Sequence, residues 1–206
     1  MIKITCLSDL HGYLPEVPDC DLLLLGGDYC RHHDNLYWYN HDFADWIKEK
    51  AARMKVIGVA GNHDFVFQDH PDALVPMEWT YLEDSGTEWN GLNIYGTPWQ
   101  PVFYDWAFNA EEPQLERIWA SIPSNTDILL LHGPPHGYGD FSPYGKVHTG
   151  SPSLTKKILE IKPKLVVAGH IHSGHGRYQI GETLFINASY VNEQYKPDYQ
   201  LEVVGL

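Results

Sequence analysis

Residues 2–12 read IKITCLSDLHG, a short apolar run that turns abruptly into polar residues. The run is rich in β-branched residues and has the length of a buried strand. Asp9 and His11 follow it directly, with Gly12 behind them. Ligands of open α/β sheets bind outside the carboxyl ends of the strands, so this stretch predicts a ligand site at the end of the first strand.

The same arrangement recurs four times along the chain. Strand-like runs at residues 21–25, 55–59, 127–131 and 164–168 are followed by GD, GNHD, HG and GHIH. Five strand ends therefore carry oxygen or imidazole groups, which predicts that they converge at one rim. The side chains are Asp9, His11, Asp28, Asn62, His63, Asp64, His132, His170 and His172.

The segments between these runs complete an α/β pattern. Amphipathic periodicity predicts helices over residues 39–53, 111–121 and 151–161, so strands and helices alternate as in βαβ units. Asn90-Gly91 within residues 87–95, and Gly181-Glu182 within residues 177–186, predict two hairpins. Hairpins add antiparallel strands, and we therefore expect two packed sheets rather than one.

Length and charge bound the possible functions. The 206 residues are 43% hydrophobic, which suits one domain over residues 1–206. With 27 acidic and 14 basic residues the formal charge is −13, which repels nucleic acids and anionic membranes. We therefore expect no stable nucleic-acid binding and no membrane association. Oligomeric state does not follow from these numbers.

Cysteine use and the amino terminus indicate a compartment. The three cysteines form no CxxC pair, which argues against a disulfide framework and a thiolate zinc site. The sequence contains no apolar run of membrane-spanning length, and it enters a strand-like segment at once rather than a signal peptide. A cytoplasmic protein is expected.

The strand-end residues suit divalent metals. Carboxylates, one carboxamide and several imidazoles without a thiolate match Mn, Fe, Zn, Co or Ni better than Ca, Mg or copper(I), and Mn is the expected ion. Seven protein ligands exceed one coordination sphere, so we expect two ions that share a bridging carboxylate, Asp28. Two divalent ions with Asp9 and Asp28 leave a local charge of about +2, which attracts a small anion.

Together these motifs carry a resemblance. Asp9-x-His11, Gly27-Asp28, Gly61-Asn62-His63-Asp64, His132 and Gly169-His170-x-His172 resemble the complete five-motif signature of calcineurin-like metallophosphoesterases. The segments YGTPWQP (95–101), DWAFN (105–109), LHGPPHGYGD (131–140) and INAS (186–189) are similar to the metallophosphoesterase-domain-containing branch, related to class III cyclic-nucleotide phosphodiesterases.

The resemblance implies a fold and a role for each residue. The fold is a four-layer α/β/β/α sandwich of two mixed sheets flanked by helices, without a separate cap domain. Asp9, His11, Asp28 and His172 would hold one ion, and Asp28, Asn62, His132 and His170 the other. His63 would be the acid that protonates the departing alkoxide, oriented by Asp64.

The expected reaction is hydrolysis of small phosphodiesters, cyclic nucleotides among them, by a metal-bridging hydroxide. Three alternatives stay open: a phosphomonoesterase, a nuclease of the same fold, and a metal-binding scaffold without catalysis. The acidic balance opposes the nuclease, because a polymer needs several Lys or Arg contacts to its phosphates. The intact ligand set opposes the scaffold.

The wall that faces the substrate must come from loops. Residues 96–109 are rich in aromatic side chains and residues 134–144 in Pro and Gly. Aromatic faces stack on planar bases, although the same side chains also serve as packing anchors. Arg31, Trp99 and His136 are the candidate substrate-binding residues.

Overall fold

The computed structural model describes residues 1–30 and 36–206. The strands are β1 (Lys3–Leu7), β2 (Leu22–Leu25), β3 (Lys55–Gly58), β4 (Thr80–Tyr81), β5 (Ser85–Trp89), β6 (Leu92–Thr97), β7 (Gln100–Pro101), β8 (Asn109–Ala110), β9 (Ile128–Leu131), β10 (Phe141–Ser142), β11 (Val147–His148), β12 (Leu165–Ala168), β13 (Gly176–Ile180), β14 (Thr183–Asn187) and β15 (Glu202–Gly205). The α-helices are α1 (Leu36–Trp38), α2 (Ala44–Ala51), α3 (Phe65–Asp69), α4 (Glu112–Ala120) and α5 (Pro152–Ile161). Among the described residues, no helix is long and apolar enough to cross a bilayer.

Two large sheets form the centre of the molecule. The first has the order β15-β1-β2-β3-β4, and only the β15–β1 pair is antiparallel. The second has the order β13-β14-β12-β9-β6-β5, with antiparallel hairpins at both edges and parallel pairs between them. Both sheets are therefore mixed, as predicted.

Side-chain alternation along the strands divides the interior into layers. Leu22 and Leu24 of β2 face the second sheet, where they pack in the core that contains Ile128 and Val167. Leu23 points the opposite way, into a separate core. All residues of β2, β9 and β12 are buried, which explains why these runs are continuously apolar rather than alternating with polar residues.

Helices cover the outer face of each sheet. On the first sheet, Phe43, Trp46 and Ile47 of the segment around α2 pack against Leu23 and Val56. On the second sheet, α4 and α5 supply a further apolar layer, made by Leu115, Trp119, Leu154 and Ile158 against Leu129, Leu131 and Val166. The order helix, sheet, sheet, helix is the four-layer α/β/β/α sandwich, and the predicted fold class is confirmed.

The predicted strands and helices lie close to the observed ones, with one difference at the first long helix. The five core strands start and end within one residue of their predicted limits. The helix predicted over residues 39–53 instead begins at Leu36, and a π-helical turn at Tyr39–Phe43 separates α1 from α2. Asn90 and Gly91 take positive φ angles of 51° and 76°, as a tight hairpin turn requires.

The carboxyl ends of the core strands meet along one edge of the sandwich. Ser8 at the end of β1 forms a bridge with Ser189 after β14, which links the two sheets there. The ring of His132, after β9 of the second sheet, contacts the carbonyl oxygen of Gly26 after β2, at 2.8 Å from Nδ1. The strand-end residues therefore face one another across the two sheets, as the sequence predicts.

Candidate metal centre

The loops that follow the core strands hold their polar side chains in strained backbone conformations. Asp9, His11, Asp28 and His170 have φ angles of 54°, 43°, 55° and 67°, in the left-handed region. This region costs a residue with a Cβ atom about 1 to 2 kcal/mol. Such strain is found where a side chain must be aimed at a fixed point, and it concentrates at functional sites.

One half of the centre consists of Asp9, His11 and His172. Nε2 of His172 lies 3.4 Å from Oδ1 of Asp9, and Nε2 of His11 lies 4.0 Å from the same oxygen. The two Nε2 atoms are 3.2 Å apart. Three ligand atoms from two sheets thus surround a volume of the size of one ion.

The other half consists of Asn62, His132 and His170. Oδ1 of Asn62 lies 2.9 Å from Nε2 of His132 and 2.7 Å from Nδ1 of His170. The rings of His132 and His170 meet edge to face, with centroids 5.1 Å apart. This group mirrors the first one across the centre.

Asp28 lies between the two halves. Its Oδ2 atom is 3.7 Å from Nε2 of His11 and 3.5 Å from Nε2 of His132. Its Oδ1 atom accepts the backbone N–H of His63 at 2.7 Å, which fixes the carboxylate plane. One carboxylate oxygen is therefore within reach of both halves, as a bridging ligand must be.

The hydrogen-bond pattern of these rings fits a cation. Nδ1 of His132 and Nδ1 of His172 lie 2.8 and 3.0 Å from the carbonyl oxygens of Gly26 and Asn192, so each Nδ1 donates its proton there. In the neutral rings, Nε2 then presents a lone pair to a carboxylate or amide oxygen, which is repulsive unless a positive charge lies between them. Among the described residues, buried Nδ1 of His11 has no hydrogen-bond partner.

In the metal-free protein, burial and the nearby carboxylates shift the pKa values of these histidines. Burial alone lowers the pKa of His132, but the charge of Asp28 overrides it and raises the pKa to about 9. For His172 too burial opposes the charged form, and the hydrogen bond to Asp9 raises the pKa. Burial lowers the pKa of His11 and His170 to about 3. Without metal, the carboxylates of Asp28 and Asp9 thus favour the protonated forms of His132 and His172.

His63 lies beside the centre, and Asp64 does not orient it. The His63 ring stacks on Trp106, with centroids 4.2 Å apart, and meets His11 edge to face. Its buried Nδ1 has no hydrogen-bond partner, and no hydrogen bond or ion pair between described residues joins it to Asp64. The prediction that Asp64 orients His63 is therefore wrong.

Asp64 instead holds the backbone of the ligand loops. Its Oδ2 accepts the N–H groups of Asp28 at 2.8 Å and Gly61 at 2.7 Å, and its Oδ1 accepts the N–H of Tyr29 at 2.9 Å. The hydroxyl of Tyr39, in the π-helical turn, also donates to Oδ1. Because backbone amides and this hydroxyl take both oxygens, none is left for the His63 ring. Burial and the nearby Asp28 charge raise the pKa of Asp64 to about 7.

A segment after β14 that the strand-end pattern does not include also reaches the centre. The hydroxyl of Ser189 donates to Oδ2 of Asp9 at 2.8 Å. Asn187 donates through its amide to the carbonyl oxygens of Gly139, Gly169 and Ile171. The INAS motif thus supports the ligand loops. Nothing in the spacing of the sequence alone signals the further contact of Asn192 with His172.

A cavity of about 320 Å³ opens onto the candidate centre. Asp28, Asn62, His63, His170 and His172 form its floor. Both predicted loops contribute to its walls, but the third part of the wall, after β14, was not predicted. The wall residues are Pro101, Val102, Phe103, Ser142, Pro143, Tyr144, Thr149, Ile171, Glu193 and Tyr195.

The three candidate substrate-binding residues have different outcomes. Trp99 does not line the cavity, because its indole N–H donates to Asp84 at 2.9 Å and its ring packs on Phe108. His136 does not line it either, since its Nδ1 lies 3.6 Å from buried Asp140, away from the centre. Both predictions are wrong in placement. Arg31 lies outside the described residues.

Solved structures share this architecture. Phosphopantetheinyl hydrolase from Mycobacterium tuberculosis aligns with a TM-score of 0.64 and 17% identity, over 98% of this chain and 95% of that one. The protein TT1561 of Thermus thermophilus aligns with a TM-score of 0.63 and 16% identity, over 98% of both chains. At these identities the likeness concerns the fold.

Comparison of the sequence with known proteins shows more than a shared fold. Metallophosphoesterase domain-containing protein 1 of Homo sapiens is 32% identical over 224 residues, which cover 95% of this chain and 68% of that protein. Residues 2–174 match the family described as calcineurin-like phosphoesterase. This chain therefore belongs to the calcineurin-like phosphoesterase family, and its membership implies a phosphoester hydrolase that works with divalent metal ions.

Proposed function

We propose that this protein is a phosphodiesterase that hydrolyses small phosphodiesters, cyclic nucleotides among them, at a centre of two divalent ions. The observation that supports the proposal most is the position of Asp28 Oδ2, within 3.7 Å of His11 Nε2 and 3.5 Å of His132 Nε2. Asp9, His11, Asp28 and His172 would hold one ion, and Asp28, Asn62, His132 and His170 the other. Manganese is the proposed metal.

When bound, two such ions neutralise phosphoryl charge and lower the pKa of water, so that a nucleophile is available at neutral pH. The chain itself supplies position and charge. Asp28 ties the two ligand groups together, while Asp64 fixes the loop backbones that carry Asp28 and Asn62. Because Asp64 contacts backbone amides rather than ligand rings, its role is to position the loops.

His63 is the proposed donor of a proton to the departing alkoxide. Burial lowers its pKa in the free protein, which opposes a charged ring. A phosphodiester anion beside the ring favours the imidazolium and offsets this effect. Nδ1 of the ring is buried and has no hydrogen-bond partner among the described residues, so the proposed bond to substrate falls to the other ring nitrogen, Nε2.

Residues 1–206 are proposed to form one domain without a cap, because β15 pairs with β1 and loops of the same sandwich wall the cavity. The cytoplasm is the proposed location, since three cysteines without a CxxC pair argue against a disulfide framework. Proposed partners are limited to a small phosphoester, with neither nucleic acid nor membrane. The net charge of −13 supports both exclusions.

A substrate panel tests the proposal. Metal-free protein is loaded with Mn²⁺ and assayed on bis(p-nitrophenyl) phosphate, p-nitrophenyl phosphate, 3′,5′-cyclic AMP and plasmid DNA. We expect hydrolysis of the small diesters above the monoester, with plasmid left intact. A faster monoester reaction identifies a phosphomonoesterase, DNA cleavage identifies a nuclease, and the absence of any turnover contradicts the enzymatic function.

A further inference from the structure

The walls of the cavity beyond the candidate centre are mostly apolar. Val102 and Phe103 lie on one side with about half of their surface exposed, at 51% and 48%. Tyr144 and Tyr195 come from two other loops that line the cavity, and they are 75% and 44% exposed. Large apolar side chains with this exposure around a cavity mouth indicate contact with an organic group rather than with water.

Glu193 gives these walls their only charge. Apart from Asp28 on the floor, it is the one carboxylate among the described residues that line the cavity, and none of those residues is Lys or Arg. Lys146 and Lys196 belong to neighbouring loop segments but lie outside the lining. Among the described residues that line the cavity, a ligand therefore meets positive charge only at the floor, when metal is bound.

Glu193 is held in place rather than freely mobile. Its Oε1 accepts the backbone N–H of Ser173 at 2.7 Å, and its carbonyl oxygen accepts the Tyr144 hydroxyl at 3.3 Å. The preceding residue, Asn192, closes the loop by accepting the N–H groups of Gln194 and Lys196 on its side-chain oxygen. The segment lies beyond residues 2–174, the part of the chain that the family description covers.

We infer that Glu193 is a specificity-determining residue that selects substrates with a single anionic group. This inference rests on the proposed function and narrows its substrate class. The phosphoryl group binds at the floor, and the rest of the substrate is an apolar or planar organic group without a second phosphate or carboxylate. A second anionic group would be desolvated against apolar walls, close to a fixed carboxylate, and none of the described lining residues is a Lys or Arg that could pair with it.

A pair of ligands that resist hydrolysis tests this inference by binding. The ligands are thymidine 5′-phosphonates, in which carbon replaces the bridging oxygen, with either a 3′-O-methyl or a 3′-O-carboxymethyl group. They differ by one carboxylate. Isothermal titration into the Mn²⁺-loaded protein at low salt should give a dissociation constant about tenfold smaller for the methyl ligand, the scale of one like-charge contact near a protein surface.

Matched variants assign the effect to Glu193. Glu193→Gln keeps an oxygen that can accept the Ser173 N–H but removes the charge, so the preference should shrink to about threefold or less. Glu160→Gln makes the same change at an exposed position of α5, outside the cavity, and should keep the wild-type ratio of the two dissociation constants. In Glu160→Gln the affinity for the methyl ligand should stay within about twofold of the wild-type value, whereas Glu193→Gln is judged by the ratio of its two dissociation constants.

Three results would overturn the inference: equal or tighter binding of the carboxymethyl ligand to the wild-type protein, an unchanged ratio in Glu193→Gln, or no binding of either ligand. Turnover of bis(p-nitrophenyl) phosphate is measured on the same preparations. If the protein shows the expected preference but hydrolyses no ester, this outcome contradicts the proposed function and leaves the role of Glu193 standing. A protein that hydrolyses esters but lacks the preference contradicts only the role of Glu193.

Discussion

Single residues in this molecule carry several contacts at once, and Asp28 shows this most clearly. Its Oδ2 faces His11 and His132, its Oδ1 accepts the N–H of His63, and its own N–H donates to Asp64. Its φ angle of 55° is unfavourable for a residue with a Cβ atom. The fold maintains this conformation because four groups fix the residue from different sides.

His63 gives the first prediction at this scale. In His63→Ala, kcat for bis(p-nitrophenyl) phosphate should fall by about 10²- to 10⁴-fold, the usual contribution of a proton donor. The metal content, measured by elemental analysis, should stay at two ions per chain because His63 is not a proposed ligand. The control is His70→Ala, a change of an exposed histidine outside the cavity.

The structure offers His63 a second role that the same variant tests. One of its ring nitrogens lies within 4.8 Å of ligand atoms of His11 and Asp28, close enough for the three residues to share an ion. Loss of one ion per chain in His63→Ala would make His63 a ligand. Retention of full turnover would remove it from the reaction altogether.

His132 gives a pH prediction for the metal-free protein. Its folded-state pKa is about 9, against 6.5 for the ordinary ring, so its contribution to stability is present below pH 6.5 and lost as the pH rises through 9. The raised pKa of His172 adds a change of the same sign. With chelator present, the free energy of unfolding in urea should fall by about 1 to 3 kcal/mol between pH 7 and 9.

In the metal-loaded protein, the free energy of unfolding should change with pH in the opposite direction. Imidazoles bind metal in the neutral form, so metal affinity, and with it stability, should rise over the same pH range. The variant His132→Asn should flatten the fall in the metal-free protein. A metal-free stability that is constant or rises from pH 7 to 9 would contradict the assigned charge state of the centre.

At the scale of elements, the long connection after β6 has one part that packs against the protein and another that is exposed. Trp99 and Thr97 both donate to Asp84, at 2.9 and 2.6 Å, and so join this connection to the turn before β5. Phe103 lies further along, exposed, with its ring 5.9 Å from that of His170. These different surroundings predict different functions for the two aromatic residues, although both lie in one predicted loop.

Paired substitutions should separate these functions. Trp99→Ala should lower the free energy of unfolding by about 2 to 3 kcal/mol, through lost packing and the lost hydrogen bond to Oδ2 of Asp84, and leave KM for thymidine 5′-(p-nitrophenyl phosphate) unchanged. Phe103→Ala should change stability by less than about 1 kcal/mol and raise KM with little change in kcat. Urea unfolding and steady-state kinetics measure both. A raised KM in a fully stable Trp99→Ala protein would return Trp99 to the substrate wall.

The elements were predictable where a local signal specifies them. Continuous apolar runs predicted the core strands, and amphipathic periodicity predicted the helix over residues 151–161. In the structure α5 begins at Pro152, and the Ser151 hydroxyl caps it by accepting the N–H of Leu154 at 3.2 Å. The two-residue strands β7 and β8, and the π-helical turn at Tyr39–Phe43, have no such signal. The π-helical turn contributes Tyr39 to Asp64, a tertiary contact between residues far apart in the chain.

At the scale of the whole molecule, the sequence predicted the convergence of the site and two of the loops that wall it, but not the wall segment after β14 or which side chains face the cavity. Parallel strands bring their carboxyl ends to one edge, and that rule alone placed the candidate ligands together. The walls depend on how three loops approach one another, and no rule of spacing foretells that Glu193 meets Ser173. The Trp99 and His136 predictions failed for this reason: their partners Asp84 and Asp140 hold them elsewhere.

If two metal ions act together in one centre, the rate of turnover must depend on how many ions are bound to each chain. A metal titration measures this dependence directly. Metal-free protein at a known concentration is titrated with Mn²⁺, and the initial rate on bis(p-nitrophenyl) phosphate is recorded after each addition. We expect a rate that is low up to one equivalent, rises steeply to two equivalents per chain and is constant beyond. Full activity at one equivalent, or no activity at any ratio, would contradict it.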